Sequence, residues 1–174
     1  MKVEEKLGFD RIRKIVSDRC STDYAASRVE EEAFCTDPSE IRRRQLLADE
    51  MRLILMFEDT FPTGGYIDCI GFLVPIGKSG SIDILSLGKL RTMLETLGKV
   101  SAFFRGVRDG VYPNLKRMAS GISSFPEVRS RIDGILDRYG EIKDTASDVL
   151  YDIRKDIREK ESAGKTRCSS SAAI

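Results

Sequence analysis

Arg42-Arg43-Arg44, with Arg52 a few turns further on, is the densest concentration of positive charge in the chain, and the chemistry it offers is contact with phosphate. Consecutive residues on a helix diverge by about 100°, so the three adjacent arginines cannot all face one nucleic-acid backbone. Phosphate binding wants basic groups gathered on one surface. Arg42, Arg43, Arg44 and Arg52 are therefore the candidate nucleic-acid contacts, with local rather than extended reach. Aromatic side chains for stacking on single-stranded bases are few, and most fall on apolar helix faces.

Other chemistry is sparse. There is no histidine anywhere, which removes imidazole acid-base work and His-ligated metals. Gly71 to Ser79 ends in Gly-Lys-Ser, but its leading glycine stands one residue too early for a phosphate-binding loop. At Gly164-Lys165-Thr166 the required position holds Glu159, and neither stretch follows a convincing buried strand. Asp148, Asp152 and Asp156 line up at i, i+4, i+8, yet Lys155 and Lys160 lie beside them, the pattern of a solvated helix face. Asp133 and Asp137 read the same way. Cys20, Cys35, Cys69 and Cys168 are scattered without C-x-x-C pairing. Cys20 and Cys35 fall near opposite ends of one expected helix, about 20 Å apart and beyond disulfide reach. The expectation is reduced thiols, no catalytic residues, no metal ligands and no cofactor in this chain.

The 174 residues carry 29 basic and 28 acidic side chains, so the fold as a whole exerts no field that draws polyanions. One modest core is expected at this length. No stretch approaches the roughly 18 apolar residues of a membrane span, and the first residues lack the apolar run of a signal peptide. A cytoplasmic protein without membrane contact is expected.

The elements that must position these residues are helices, and the fold class is all-α. A first helix near 4–19 is expected to bury Leu7, Ile12, Ile15 and Val16, and a second near 22–34 to bury Tyr24 or Ala25, Val29 and Ala33. Asp37 at the cap, Pro38 at the first position and Glu40 at the third open a helix that runs to about 58 through Ile41, Leu47, Ala48, Met51, Ile54 and Leu55. Phe61-Pro62-Thr63-Gly64-Gly65 ends it. Ile70 to Ile76 is an apolar run broken by Pro75, with 77–80 a loop. A long helix over 86–105 presents Leu87, Leu90, Leu94, Leu97 and Phe104, broadened by Met93 and Val100. Gly98 costs it about 1 kcal/mol relative to Ala, which a close helix crossing would offset. Pro113 opens a short helix with Leu115, Met118, Ala119 and Ile122. Ser124-Phe125-Pro126-Glu127 fits a capping box for a helix with Val128, Ile132, Ile135, Leu136 and Tyr139 inside, and Gly140 stops it.

The last helix, capped by Asp144 or Thr145, places Ala146, Val149, Leu150, Ile153 and Ile157 on one side. The next positions on that stripe are Lys160, Glu161 and Gly164. A lone amphipathic helix is marginal in water, so this one must lie on upstream helices or on polypeptide outside the chain, and the chain reads as part of a larger protein. The division expected is a helical core over 1–140, the start of this helix over 141–161, and a disordered or non-native tail over 162–174.

Taken in order, these segments resemble the N-terminal region of the bacterial MutS-like subfamily that suppresses recombination, MutS type 2. The resemblance rests on Glu5-Lys6-Leu7-Gly8-Phe9-Asp10-Arg11-Ile12-Arg13, on the stretch around Ala33-Phe34-Cys35-Thr36-Asp37, and on Asp49-Glu50-Met51-Arg52. It continues through Phe61-Pro62-Thr63-Gly64-Gly65-Tyr66, Tyr112-Pro113-Asn114-Leu115 and Ile132-Asp133 onward to Asp148. It covers most of the chain between residues 4 and 158, and no piece of it is a catalytic signature. The resemblance implies a multi-helix core bundle whose C-terminal helix is the root of a long lever joining an ATPase to a DNA clamp. It further implies that ATP and Mg belong to the parent protein, that the parent acts on branched or recombining DNA as a homodimer, and that any nuclease domain lies downstream. The chain's partners are then the rest of the parent chain and, through it, DNA. After Glu161 the sequence departs from the lever pattern.

Two further readings remain open on the sequence. One is a stand-alone helical adaptor binding another protein through an apolar groove, with Phe103 and the exposed side of the last helix as contacts. The other is part of a factor acting on stalled ribosomes, which the resemblance permits.

Overall fold

The computed structural model describes residues 6–171, of which 78–79 and 163–171 are described in their backbone alone. Among the described residues there are eight α-helices and no strand. They are α1 (Phe9–Ser17), α2 (Asp23–Glu30), α3 (Pro38–Phe57), α4 (Ile70–Ser79), α5 (Ile84–Gly106), α6 (Pro113–Ala119), α7 (Pro126–Ile135) and α8 (Asp148–Ser171), with a 3-10 turn at Asp144–Ala146 before the last. The all-α expectation holds.

The spine is α5. Asp83 caps it by accepting from Ser86 N at 2.9 Å, and its apolar stripe feeds two clusters. At its C-terminal half Val100 and Phe104 join Ile54 of α3, Phe61, Tyr112, and Leu115 and Ala119 of α6. Phe61, Phe103 and Phe104 meet edge to face with ring centroids 5.1–6.1 Å apart, the arrangement that ring quadrupoles favour. At its N-terminal half Leu94 packs with Ile132 of α7 and Leu136, flanked by Leu87, Leu90 and Ile142.

The core also holds a carboxylate. Glu50 of α3, 8% exposed, accepts from Asn114 N at 3.1 Å, Asn114 Nδ2 at 2.7 Å and Leu115 N at 2.7 Å. Pro113 opens α6 and lacks a donor, and Tyr112 offers no side-chain cap, so the next two amides are the orphans of that helix end. Glu50 satisfies both from another helix and places its negative charge at the positive end of the α6 dipole. Tyr112 Oη adds a bond to Glu58 Oε1 at 3.0 Å.

Several expectations are corrected. The first helix begins at Phe9, its expected start at residue 4 lying outside the described residues, and Leu7, Ile12, Ile15 and Val16 are all exposed. α1 and α2 pack on each other as a hairpin but gain little cover from the body. Arg13 Nη2 ties them by donating to the Glu32 carbonyl at 2.6 Å. α2 ends at Glu30, leaving Ala33 and Phe34 exposed. At α3 Asp37 accepts from Ser39 N at 2.9 Å, while Glu40 turns away from the cap to bind arginines. Ile41 and Leu55 are exposed. Residues 77–79 are helical, because α4 runs through Pro75 and stops only at Gly80, whose φ of 68° is the left-handed turn that ends helices.

The capping box at Ser124 does not form. Pro126 occupies the first position of α7, which moves the cap to Phe125, held at φ 41° with no side-chain cap bond. α7 then ends at Ile135, and Leu136 bridges antiparallel to Ile142. Asp137 Oδ1 organises the turn between them, accepting from Tyr139 N at 2.8 Å and Glu141 N at 2.9 Å. Gly140 lies in this turn and not at the helix end, and Tyr139, Val128 and Met118 are exposed. Gly98 marks no close crossing: a Cβ there would first meet Ser124 Cβ at 3.9 Å, ordinary contact.

Candidate functional site

Of the four candidate arginines, three are drawn onto acidic neighbours. Glu40 receives Arg43 Nε at 2.7 Å and Nη2 at 2.8 Å and Arg44 Nε at 2.7 Å. Arg44 also pairs with Glu32, from the segment between α2 and α3. Those two guanidinium partners hold the Glu40 carboxyl at about 2, far below its ordinary range, chiefly through their hydrogen bonds. Arg52 lies 3.7 Å from Asp49 and its Nη1 is 3.5 Å from Met56 Sδ. Arg42 is exposed and has no ion pair among the described residues. The cluster is a stitched acid-base surface, with Arg52 roughly 12 Å or more along the axis from the triplet at 1.5 Å per residue.

Gly77-Lys78-Ser79 forms the C-terminal end of α4. A phosphate cradle needs amides at a helix N-terminus, where the dipole is positive; this end has the opposite sign. Among the described residues no group of three or more His, Cys, Asp or Glu stands close enough to hold a metal ion, and Asp148, Asp152 and Asp156 are each exposed. Cys20, Cys35 and Cys69 are free thiols, while the Cys168 side chain lies outside the description. Burial, with the adjacent Asp68, pushes the Cys69 thiol up, away from the reactive thiolate. Phe103 is half-buried against Phe61 and Phe104, so it is part of the core edge and not an open contact.

Two features escaped the sequence reading. An open groove of about 500 Å³ runs between the α2 start, the segment before α4, α5 and the α7 start, walled by Tyr24, Tyr66, Leu73, Met93, Leu97 and Phe125. Helical periodicity puts Met93 and Leu97 on the apolar face of α5, and it cannot show that facing stripes stand apart. The second feature is the seat of α8. Asp144 does not cap this helix; Ser147 does, accepting from Leu150 N at 3.2 Å. Asp144 instead reaches forward to Arg154 and, at 2.9 Å, to Arg158 Nη2. These partners, Arg154 first, hold its carboxyl below the usual range.

The stripe of α8 is open. Val149, Ile153 and Ile157 are 68%, 51% and 50% exposed, and Leu150 is half-buried. The helical backbone continues to Ser171, past the residue 161 boundary expected from composition, because no proline interrupts the run and Gly164 alone costs only about 1 kcal/mol. Among the described residues no helix is long and apolar enough to cross a membrane.

The molecule thus belongs to the class of helical bundles with an exposed apolar helix face and no assembled reaction centre among the described residues. Comparison with known proteins sharpens this. No family model matches the chain. It is, however, similar to the protein named Endonuclease MutS2 of Thermomicrobium roseum, 28% identical over 158 residues, covering 88% of this chain and 20% of that protein. The Endonuclease MutS2 of Listeria innocua is 26% identical over 162 residues, 92% of this chain and 21% of that one, and that of Alkaliphilus oremlandii 22% over 165 residues. These similarities support a MutS2-like relation. The chain spans about a fifth of the length of the curated relatives it matches.

Proposed function

We propose that this chain is the helical core, over about residues 1–140, and lever root, from about 141, of a MutS2-like DNA-binding ATPase that limits recombination. Its own part is mechanical: it carries the nucleotide state of a distant ATPase domain to a DNA clamp through rigid helix movement, and holds no catalytic group. ATP and Mg bind elsewhere in the parent, which works in the cytoplasm on branched or recombining DNA, as a homodimer. The observation that carries this reading is the open stripe on α8, an apolar helix face leaving the body, in a chain that matches a fifth of each relative. A helix with that face needs packing to be stable, and a lever continuing into a larger protein supplies it.

Within this reading Arg42, Arg43, Arg44 and Arg52 touch DNA weakly at most. Three of them already serve carboxylates, and binding phosphate would have to displace those partners. The test is fluorescence anisotropy of the purified chain with a four-way DNA junction, beside an ATPase assay. Weak, salt-suppressed binding and no specific ATP hydrolysis are expected, with both activities present in the full-length gene product. Submicromolar binding or specific hydrolysis by the chain alone contradicts the division of roles. Partners retained from lysate after nuclease treatment, with no ATPase in the full-length product, move the reading to an adaptor.

A further inference from the structure

Where α8 leaves the bundle, its contacts are largely charged. Its main packing on other elements, among the described residues, falls on the 144–146 turn, and of its apolar stripe only Leu150 is half-buried while Val149, Ile153 and Ile157 stay open. That turn is itself fixed. Lys143 N donates to the Ile135 carbonyl at 2.9 Å and Lys143 Nζ to the Asp133 carbonyl at 2.6 Å. Arg91 of α5 closes the frame, with Nε 2.6 Å from Asp133 Oδ1 and Nη1 donating to the Asp137 carbonyl at 2.7 Å.

From this anchored base Asp144 extends one carboxylate oxygen to Arg154 and the other to Arg158. Arg154 Nη1 also lies 3.3 Å from the Ile142 carbonyl. Arg154 and Arg158 are one turn apart and share a helix face, so a single side chain grips α8 at two successive turns. We propose that Asp144 with Arg154 and Arg158 is an electrostatic latch: closed, it fixes the angle at which α8 leaves the bundle, and opened, it lets the intact helix swing about the 144–147 turn. The half-exposed partners make the latch reversible and sensitive to screening, which a hydrophobic seat would not be. The latch belongs to this chain whatever its parent does and does not rest on the proposed DNA-processing role.

The experiment places spin labels at Lys99→Cys on α5 and Lys160→Cys on α8, in the full chain with the four native cysteines replaced by serine, and reads the inter-label distance distribution. Asp144→Asn, and Arg154→Gln with Arg158→Gln, are expected to broaden the distribution and lower the ratio of docked to swung helix a few-fold, as the loss of exposed pairs does, with helix content by circular dichroism unchanged. Raising salt to about 1 M, where screening reaches roughly 3 Å, broadens the unsubstituted protein likewise and leaves Asp144→Asn unaffected. Superimposable distributions for Asp144→Asn and the unsubstituted protein overturn the latch. Where a substitution lowers helix content, the salt titration of the unsubstituted protein decides: broadening supports the latch, invariance overturns it.

Discussion

The α3–α5–α6 core and α8 are built from the same kind of sequence, an apolar residue every three or four positions, and end in opposite circumstances. Ile54 has no exposed surface, while Ile153, at an equivalent place on its own stripe, is half open to solvent. Around Ile54 the facing stripes of α5 and α6 arrive from within the chain, and even a carboxylate is drawn in to close a helix end. Beside α8 the main neighbour among the described residues is the 144–146 turn, and Asp144 of that turn pairs with two guanidinium groups of the helix. Periodicity shows that a face exists; whether it is covered depends on what the chain brings to it. The α1–α2 hairpin belongs with α8 in this respect.

The sharpest way to break this contrast is Ile54→Ala. It removes a fully buried side chain at a three-helix junction and should cost about 4 kcal/mol, read as a fall in the urea midpoint with an unchanged slope; a loss no larger than at exposed sites would mean the core is not where stability resides. Glu50→Ala comes next. Leaving the Asn114 and Leu115 amides without an acceptor should cost about 3 kcal/mol and speed their hydrogen exchange ahead of the rest of α6. Gly98→Ala runs the other way: an added Cβ makes only ordinary contact with Ser124, so thermal unfolding should report stabilisation by about 1 kcal/mol.

Smaller effects belong to the periphery. Glu40 is held at about 2 against an ordinary 4.5, a depressed carboxylate. Its contribution is present above the ordinary value and lost as pH falls from there towards the folded one. Glu40→Gln and the unsubstituted protein should therefore differ slightly in denaturation midpoint at neutral pH and converge in acid, the difference being small because the arginines are exposed. Ile153→Ala should change stability by no more than about 0.5 kcal/mol; a core-sized loss would show that α8 is packed in solution after all.

Much of this was legible in the sequence. Asp37-Pro38 located the start of α3, and the stripe from Leu87 to Phe104 located α5 within two residues at either end. What was not legible has physical reasons. Ser124 has the right partner three residues on, but Pro126 fixes where the first helical residue falls, and proline wins over a hydroxyl. Glu50 stands on the apolar face between Leu47 and Ile54; a carboxylate at that spacing is itself a signal of a buried acceptor, but its partners Asn114 and Leu115 lie more than 60 residues away in sequence. The arginine triplet was legible as charge, but its tie to Glu32 was not, since that partner comes from another segment. Asp144 resembles a cap until its distant arginines are placed.

One loop position carries a consequence of a different kind. Gly65 has φ 83°, and a Cβ there would collide with Thr96 Oγ1, whose hydroxyl lies 3.1 Å from both the Gly65 and Thr92 carbonyls. Handedness and space therefore exclude every larger residue together. In a survey of tolerated variants position 65 would look as guarded as a reactive centre while touching no ligand, so intolerance to change along this loop measures how closely it is pressed against α5 and says nothing of chemistry.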